Sequence, residues 1–343
     1  MKILVAGGAG YIGSHMTKML LAAGHETLVM DNLSTGFRDA VPARILVRAD
    51  LAHRVLLDSV LSARRFDGVM HFASSMQVGE SVANPARYYW NNVVNTLNLL
   101  DAMVKHRVKR LIFSSTAAIF GEPCYDPVDE EHRQAPINPY GRTKWMVEQV
   151  LADFERAYGL RHSCMRYFNA SGADPAGTLG ERHDPETHLI PLTLQAASGR
   201  MPAVTIFGTD YDTPDGTCIR DYVHVTDLCS AHLLALERMM DGAESRSFNL
   251  GNGSGYSVQE VIDTARQVTG RKIKVAVGER RPGDPVRLVA DAARACRELG
   301  WQPKYSDLGT IVSHAWTWES NRPVSPARSP ASAARNGRAA GSE

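Results

Sequence analysis

The chain has 343 residues, with 38 basic against 37 acidic side chains, a formal net charge of +1, and 44% apolar and 22% charged residues. This is the balance of an ordinary globular protein of about two domains, with no electrostatic footprint for nucleic acid or an anionic membrane. No apolar run approaches the ~20 residues of a spanning helix, and the first one, 3–6, is too short for a signal peptide. The five cysteines (Cys124, Cys164, Cys218, Cys229 and Cys296) are odd in number and scattered, without a C-x-x-C pair. That argues against a disulfide framework or a structural zinc site. A soluble, cytoplasmic protein with reduced thiols is expected, with no nucleic-acid or membrane partner.

In chain order, residues 2–6, 26–30, 44–48, 68–73, 110–115 and 162–167 read as buried strands rich in Val, Ile, Leu and Phe. Between the first two, Ile12, Met16, Met19, Leu20 and Ala23 share one helical face, and Gly24 follows as a stop signal. Further helices are expected over 54–64, 85–106 and 139–158. Strand–helix repetition of this kind implies right-handed parallel crossovers, hence an α/β, doubly wound parallel sheet. After about Asn169 the rhythm loosens, with Gly, Pro and Asp clustered over 171–185 and 208–216. Ser257-Val-Gln-Glu260 has the form of a capping box opening a helix. Gly251-Asn252-Gly253-Ser254-Gly255 has the wrong spacing for a dinucleotide fingerprint and reads as the turn into that helix. A smaller α/β lobe is expected to follow the first domain: 1–168 for the first, 169–322 for the second, partly interleaved. The Ser-, Ala-, Arg- and Pro-rich 323–343 has little to bury and reads as a disordered basic tail.

Gly7-Gly8-Ala9-Gly10-Tyr11-Ile12-Gly13 lies between the first strand and the first helix. Residues without Cβ are needed there if backbone N–H groups at a helix N-terminus are to approach a pyrophosphate. Asp31 ends the second strand 18 residues after Gly13, where a carboxylate accepts both hydroxyls of an adenosine ribose and repels a 2′-phosphate. NAD is therefore favoured over NADP. Asp50 and Phe72-Ala73 close the third and fourth strands at the same carboxyl edge of the sheet, where Asp50 could reach the adenine.

Asn138-Pro139-Tyr140-Gly141-Arg142-Thr143-Lys144 opens a helix, with Asn138 as cap and Pro139 in the first turn. Tyr140 and Lys144 are then i and i+4 on one face. An ammonium near the phenol is expected to lower its pKa from about 10 towards working pH, making it a general acid/base. The fifth strand ends in Ser114-Ser115-Thr116, whose hydroxyls emerge at the same edge. Hydroxyl, phenol and ammonium beside a nicotinamide would form a hydride-transfer site. The cysteines and the scattered histidines lack ligand spacing, and no metal is assigned.

These features together resemble the extended short-chain dehydrogenase/reductase family, and within it the UDP-glucose 4-epimerases (UDP-galactose 4-epimerases). The resemblance runs through Gly7–Asp31, His71-Phe72-Ala73, Val78-Gly79-Glu80-Ser81, Phe113–Thr116, Tyr140–Lys144 and Arg166-Tyr167-Phe168-Asn169. It continues in Ile206-Phe207-Gly208, Ile219-Arg220-Asp221-Tyr222-Val223-His224-Val225 and Arg280-Arg281-Pro282-Gly283-Asp284, covering nearly everything before the tail. It implies a Rossmann-type fold and a retained NAD, contacted by Gly7, Gly10, Tyr11, Ile12, Gly13, Asp31, Asn32, Asp50, Leu51, Phe72, Ala73, Asn91, Ser114, Phe168, Tyr140 and Lys144. It further implies that Tyr140 moves the proton of a sugar 4-hydroxyl, that Thr116 bridges to the same oxygen, and that Lys144 holds the nicotinamide ribose. A UDP-sugar would be gripped by Asn169, His188, Leu189, Phe207, Arg220, Tyr222, Arg281, Asp284 and Leu288, with the arginines on the diphosphate. Related dehydratases carry an acidic pair after the strand-end hydroxyl; Ala117 and Ala118 stand here and cannot move a proton. Met76 replaces a lysine that some members place near the cofactor ribose. Leu288 is intermediate in size at a position where bulk restricts the sugar, so UDP-glucose/UDP-galactose, UDP-N-acetylhexosamines and UDP-pentoses all stay open. A non-catalytic NAD-sensing scaffold is the alternative from another class. A homodimer built on helices 85–106 and 139–158 is implied by the resemblance.

Overall fold

A computed structural model describes residues 1–281 and 283–322; the segment read as a disordered tail lies outside the described residues. Alternating side chains of the first strand, β1 (Lys2–Ala6), set the architecture. Ile3 and Val5 enter one core, Leu4 and Ala6 another, so this strand is buried on both faces. Continuous apolar runs demand that arrangement, and a parallel sheet with helices on both sides supplies it.

The other strands are β2 (Glu26–Asp31), β3 (Leu46–Arg48), β4 (Gly68–His71), β5 (Arg110–Ser114) and β6 (Arg161–Tyr167), each within a few residues of its expected range. The third starts two residues late because Ala43–Ile45 forms a 3₁₀ turn. A seventh strand, Arg246–Leu250, went unrecognised in the sequence. It pairs parallel with β6, in the order Arg246–Leu250, β6, β5, β4, β1, β2, β3. Its crossover is the helix Val225–Met240, whose Leu228, Ala231, Ala235 and Leu236 pack onto the sheet beside Met16 and Leu20 of α1 (Tyr11–Ala22). Opposite, α2 (Arg54–Ala63) contributes Leu57 and Leu61 to the second core.

The helix expected over 85–106 is continuous but contains a π turn, Tyr89–Val94, before Asn95–Lys105. The wider turn accompanies two neighbouring amides: Asn92 is buried and bonds Ser75 and Thr143, while Asn91 reaches Ser75. Helix Pro139–Tyr158 matches its expected bounds, with the Asn138 side chain accepting the Gly141 N–H at 2.9 Å and Gly159 closing it at φ 67°.

A third core is formed by helices Leu189–Ser198, Val258–Thr269 and Leu308–Ser320 with the strand pair Val204–Phe207 and Val275–Gly278, while helix Ala293–Leu299 packs on the first core through Ala295 and Leu299. Both halves of the capping box are present: Ser257 Oγ accepts the Glu260 N–H at 3.0 Å, and Glu260 Oε2 accepts the Ser257 N–H at 2.7 Å. Gly251–Gly255 is the turn expected before that helix, wrapped on the buried Asp221. That carboxylate accepts N–H groups from Asn252, Gly253 and Ala290. A small seam of Ala117, Ile119, Phe120, Val128, Phe168 and Ala290, with Leu288 against it, joins the two halves beneath the cleft.

Candidate active site

The glycine loop is held by contacts that admit no side chain. Gly7 has φ +79°, and a Cβ there would lie 2.5 Å from Ala73 N; at Gly13 it would lie 2.1 Å from Gly7 O. Gly10 is the N-cap of α1, with no side-chain cap and no acidic residue in the first turn. The first N–H groups of that helix therefore face outward with the positive end of the helix dipole, which is what a pyrophosphate requires. Asp31, buried at the end of β2, accepts the Ala9 N–H at 2.9 Å and the Leu33 N–H at 2.8 Å. Burial raises its pKa while these two N–H groups oppose the rise. Asn32 donates to Asp50 at 2.7 Å, tying the ends of the second and third strands together at the adenosine side. Leu51, Phe72, Ala73, Asn91, Ser114 and Phe168 are buried or half-buried in this half of the molecule. A cradle that excludes even a methyl group, an uncapped helix start and a strand-end carboxylate fit the non-phosphorylated dinucleotide.

The candidate reacting groups stand on β5 and its following turn and on the helix beside it. Thr116 is extended, caps the 3₁₀ turn Ala117–Ile119 and accepts the Ala118 N–H at 3.1 Å. Tyr140 is buried; a Cβ on its neighbour Gly141 would lie 2.4 Å from Ala118 O, so the helix sits directly against the Thr116 turn. Burial raises the Tyr140 pKa, and a hydrogen bond with Thr116 pulls it back. Lys144 Nζ donates to Ser74 Oγ at 2.8 Å and to Ser114 O at 2.7 Å, over the Phe113 ring. Turned onto those partners and buried, Lys144 has its own pKa lowered to about 7 by desolvation, despite the Glu148 carboxylate below it.

Several supports were missed in the sequence. Tyr167 Oη and Ser114 Oγ are 2.6 Å apart, beside Tyr140. Glu148, one turn beyond Lys144, is paired with Arg166 in the interior and accepts the Ser115 hydroxyl at 2.5 Å. Arg166 also donates to Glu130 O at 3.2 Å. The i, i+4 spacing of Lys144 and Glu148 was the available signal, but nothing local marks Glu148 as buried.

In the second half of the chain, Arg220 donates through Nη1 to Ile219 O and Pro285 O, both at 2.8 Å. Its Nη2 lies 3.2 Å from Asp284 without hydrogen-bond alignment, leaving a buried guanidinium N–H to serve an anion. Arg281 stacks on Phe207, 3.9 Å from the ring centroid. Asn169 donates to Asp221 O at 2.9 Å, and Tyr222 is buried in the third core. Leu189 starts a helix whose N-cap is His188. His188 belongs to a group close in sequence as well as in space: Glu181, His183, Glu186 and His188, spaced Glu-x-His-x-x-Glu-x-His, place one ligand atom each within 4.8 Å of all the others. Burial opposes charge on both imidazoles, but the paired carboxylates outweigh it and raise His183 to about 9 and His188 to about 10.

Known proteins resemble the chain over most of its length. Residues 3–251 match the model of the NAD dependent epimerase/dehydratase family. A UDP-glucose 4-epimerase of Halalkalibacterium halodurans is 50% identical over 323 residues, covering 94% of this chain and 97% of its own. A crystal structure of a UDP-glucose 4-epimerase superposes with a TM-score of 0.93 at 46% identity, covering 96% of this chain and all of the other. That of the Brucella ovis UDP-glucose 4-epimerase in complex with NAD gives 0.90 at 50% identity, over 92% and 97% of the two chains.

Proposed function

The chain belongs to the NAD dependent epimerase/dehydratase family, and we propose on that premise that it interconverts UDP-glucose and UDP-galactose by inverting the sugar at C4. NAD is the cofactor, and 4-epimerisation of a UDP-sugar is the reaction class that the relatives support. The observation that carries the reading is the packing of the Tyr140 turn, through Gly141, on the Ala118 carbonyl just after Thr116 at the carboxyl edge of the sheet, beside a cradle closed to side chains and with Ala117 and Ala118 next in the chain. It offers one proton-transfer group and no second acid for elimination.

Bound NAD supplies the acceptor that takes hydride from the sugar carbon and returns it. Tyr140 removes the proton from the 4-hydroxyl and later restores it to the 4-keto oxygen; Thr116 fixes that oxygen by its hydroxyl. Lys144, already anchored to Ser74 and Ser114 O, presents its ammonium to the nicotinamide ribose and the phenol. The free N–H of Arg220, with Arg281 on Phe207, holds the diphosphate while the sugar turns. Binding energy from the part that does not move thereby supports the chemistry of the part that does. Leu288 is half-buried against the seam of Ala117 and Phe168, and on the names of the relatives a hexose is the substrate proposed.

The protein acts as a homodimer in the cytoplasm. Five free cysteines support the compartment, and exposed apolar side chains on the pairing helices support the dimer. No helix of the described residues is long and apolar enough to cross a membrane.

The test is a product-resolved panel of UDP-hexose, UDP-N-acetylhexosamine and UDP-pentose pairs without added reductant. Interconversion of UDP-glucose and UDP-galactose is expected, and Tyr140→Phe should lose it by at least about 100-fold, the usual scale of general acid–base catalysis. Wild-type-like turnover by that variant would exclude the mechanism, and turnover of another pair alone would correct the sugar.

A further inference from the structure

We propose that Glu181, His183, Glu186 and His188 form a binding site for one divalent transition-metal ion, of which Zn²⁺ is the representative. The site stands on its own geometry and does not depend on the reaction proposed above. His188 Nδ1 lies 2.8 Å from Glu181 Oε1 and 2.9 Å from Glu186 Oε1. His183 Nδ1 lies 3.3 Å from Glu181 Oε1 and 3.5 Å from Glu186 Oε2. Zinc bonds of about 2.0–2.2 Å in a tetrahedron separate their ligand atoms by roughly 3.3–3.5 Å. The two His183 edges already have the required length, the two His188 edges, now at hydrogen-bond distance, need to open by about 0.5 Å, and both rings turn the same nitrogen inward.

A second, independent feature points to a cation. His183 Nδ1 is buried on a ring only 10% exposed, aimed at two carboxylates, and has no hydrogen-bond partner. The side chains of Glu181 and Glu186 are just 6% and 5% exposed. Two carboxylates so far from water need positive charge between them; without a metal the two imidazolium rings supply it, and one divalent ion would supply the same charge with both imidazoles neutral and free to ligate. Glu186 Oε1 is steadied by the N–H groups of Thr187 at 2.8 Å and His188 at 3.0 Å, while Oε2 faces His183. Two imidazole nitrogens with two carboxylate oxygens suit zinc or a neighbouring transition metal. Magnesium and calcium prefer six or more oxygen ligands.

The placement suggests what the ion would do. The Tyr11 ring of the glycine loop meets His183 edge-on at 6.3 Å, and Gln77 donates to Pro185 O at 3.4 Å. Trp318 of the last long helix donates to Glu181 O at 3.1 Å, and Arg182 stacks on Phe37 and pairs with Asp39. A metal here would fasten the loop leading into helix Leu189–Ser198 against the cofactor loop, clamping the two halves of the cleft without entering the reaction.

The test uses the full-length NAD-bound protein, stripped with a chelator and re-equilibrated with Zn²⁺ or Co²⁺. One ion per chain by elemental analysis is expected, with the intense visible d–d bands of tetrahedral Co²⁺ and a higher thermal midpoint when Zn²⁺ is present. Glu181→Gln and His183→Gln should each weaken binding at least about 10-fold. An octahedral cobalt spectrum, substoichiometric binding by the wild-type chain, or unchanged affinity in both variants would overturn the site. A sulfur-to-cobalt charge-transfer band would do the same, by placing the ion on exposed Cys124 or Cys296. The wild-type cobalt spectrum decides the geometry even if a variant fails to fold.

Discussion

Lys144 carries two demands that conflict physically, and its surroundings show which prevails. An ammonium is wanted beside the phenol and the ribose, yet burial penalises its charge enough to bring its pKa to about 7. Free lysine titrates near 10.4, so between about pH 7 and pH 10.5 the unfolded chain holds a proton that the folded one has released. Stability contributed at this site therefore rises with pH across that window. It is flat below, where both states are protonated, and flat above, where neither is. Comparing wild type with Lys144→Met in denaturant unfolding of the cofactor-free protein isolates the effect from other groups. The wild type should gain on the variant by about 1 kcal/mol per pH unit within the window; a constant difference from pH 7 to 10 would show an ordinary lysine. Bound cofactor phosphates and ribose would shift this balance towards the charged form, which is the form the proposed chemistry uses. Thr116, by contrast, acts on Tyr140 through a hydrogen bond that needs no charge.

At the scale of elements, the glycine loop shows how backbone geometry becomes a binding site. Gly10 and Gly13 both occur in the motif, but a Cβ at Gly10 would meet only Gly7 O at 3.5 Å, an ordinary contact, whereas at Gly13 it would meet Gly7 O at 2.1 Å. Gly13→Ala must push α1 away from the loop. It should lower the thermal midpoint by several degrees, within the usual 0.5–3 kcal/mol of a destabilising substitution, and weaken NAD retention at least about 10-fold. Retention of wild-type NAD content by Gly13→Ala would show that the loop yields without cost. What could be read from the sequence follows the same division. The glycine loop, Asp31, the Asn138 cap, the Tyr140–Lys144 spacing and the Ser257 box are local patterns in which neighbours along the chain act on each other. The strand Arg246–Leu250 opens with two polar residues, Arg246 and Ser247, and follows a long crossover, so its pairing with β6 left no local trace. The buried Glu148–Arg166 pair is likewise a product of folding, since burial and convergence belong to the tertiary structure; the Glu181–His188 group, by contrast, is local, and its Glu-x-His-x-x-Glu-x-His spacing was there to be read.

At the scale of the molecule, the remaining unbalanced feature is apolar surface on the face away from the cleft. Trp90 on the π turn is 66% exposed, Met146 on the adjacent helix 40% and Tyr158 at its end 53%. Val55 and Leu56 of α2 are exposed, and a surface groove between α2 and helix Asn95–Lys105 is lined by Val55, Val104 and Tyr158 together with the charged Arg54, Asp58, Asp101 and Lys105. Single exposed apolar residues need no explanation, but a tryptophan and a methionine on two helices that pack together form the kind of patch that a partner covers. A second copy related by a two-fold axis would place the same helices against each other, a self-complementary arrangement. The Tyr140–Lys144 turn begins one of them, so the dimer would brace the catalytic helix from behind while leaving the cleft open on the opposite side. Trp90→Glu introduces a charge into that patch without touching the site. By light scattering after size exclusion, the wild type should run as a dimer and Trp90→Glu should dissociate at concentrations at least about 10-fold higher, consistent with aromatic anchors dominating interfaces. If the variant stays dimeric at the same dilution as wild type, the two copies meet through another face, and the exposed helices have a different partner.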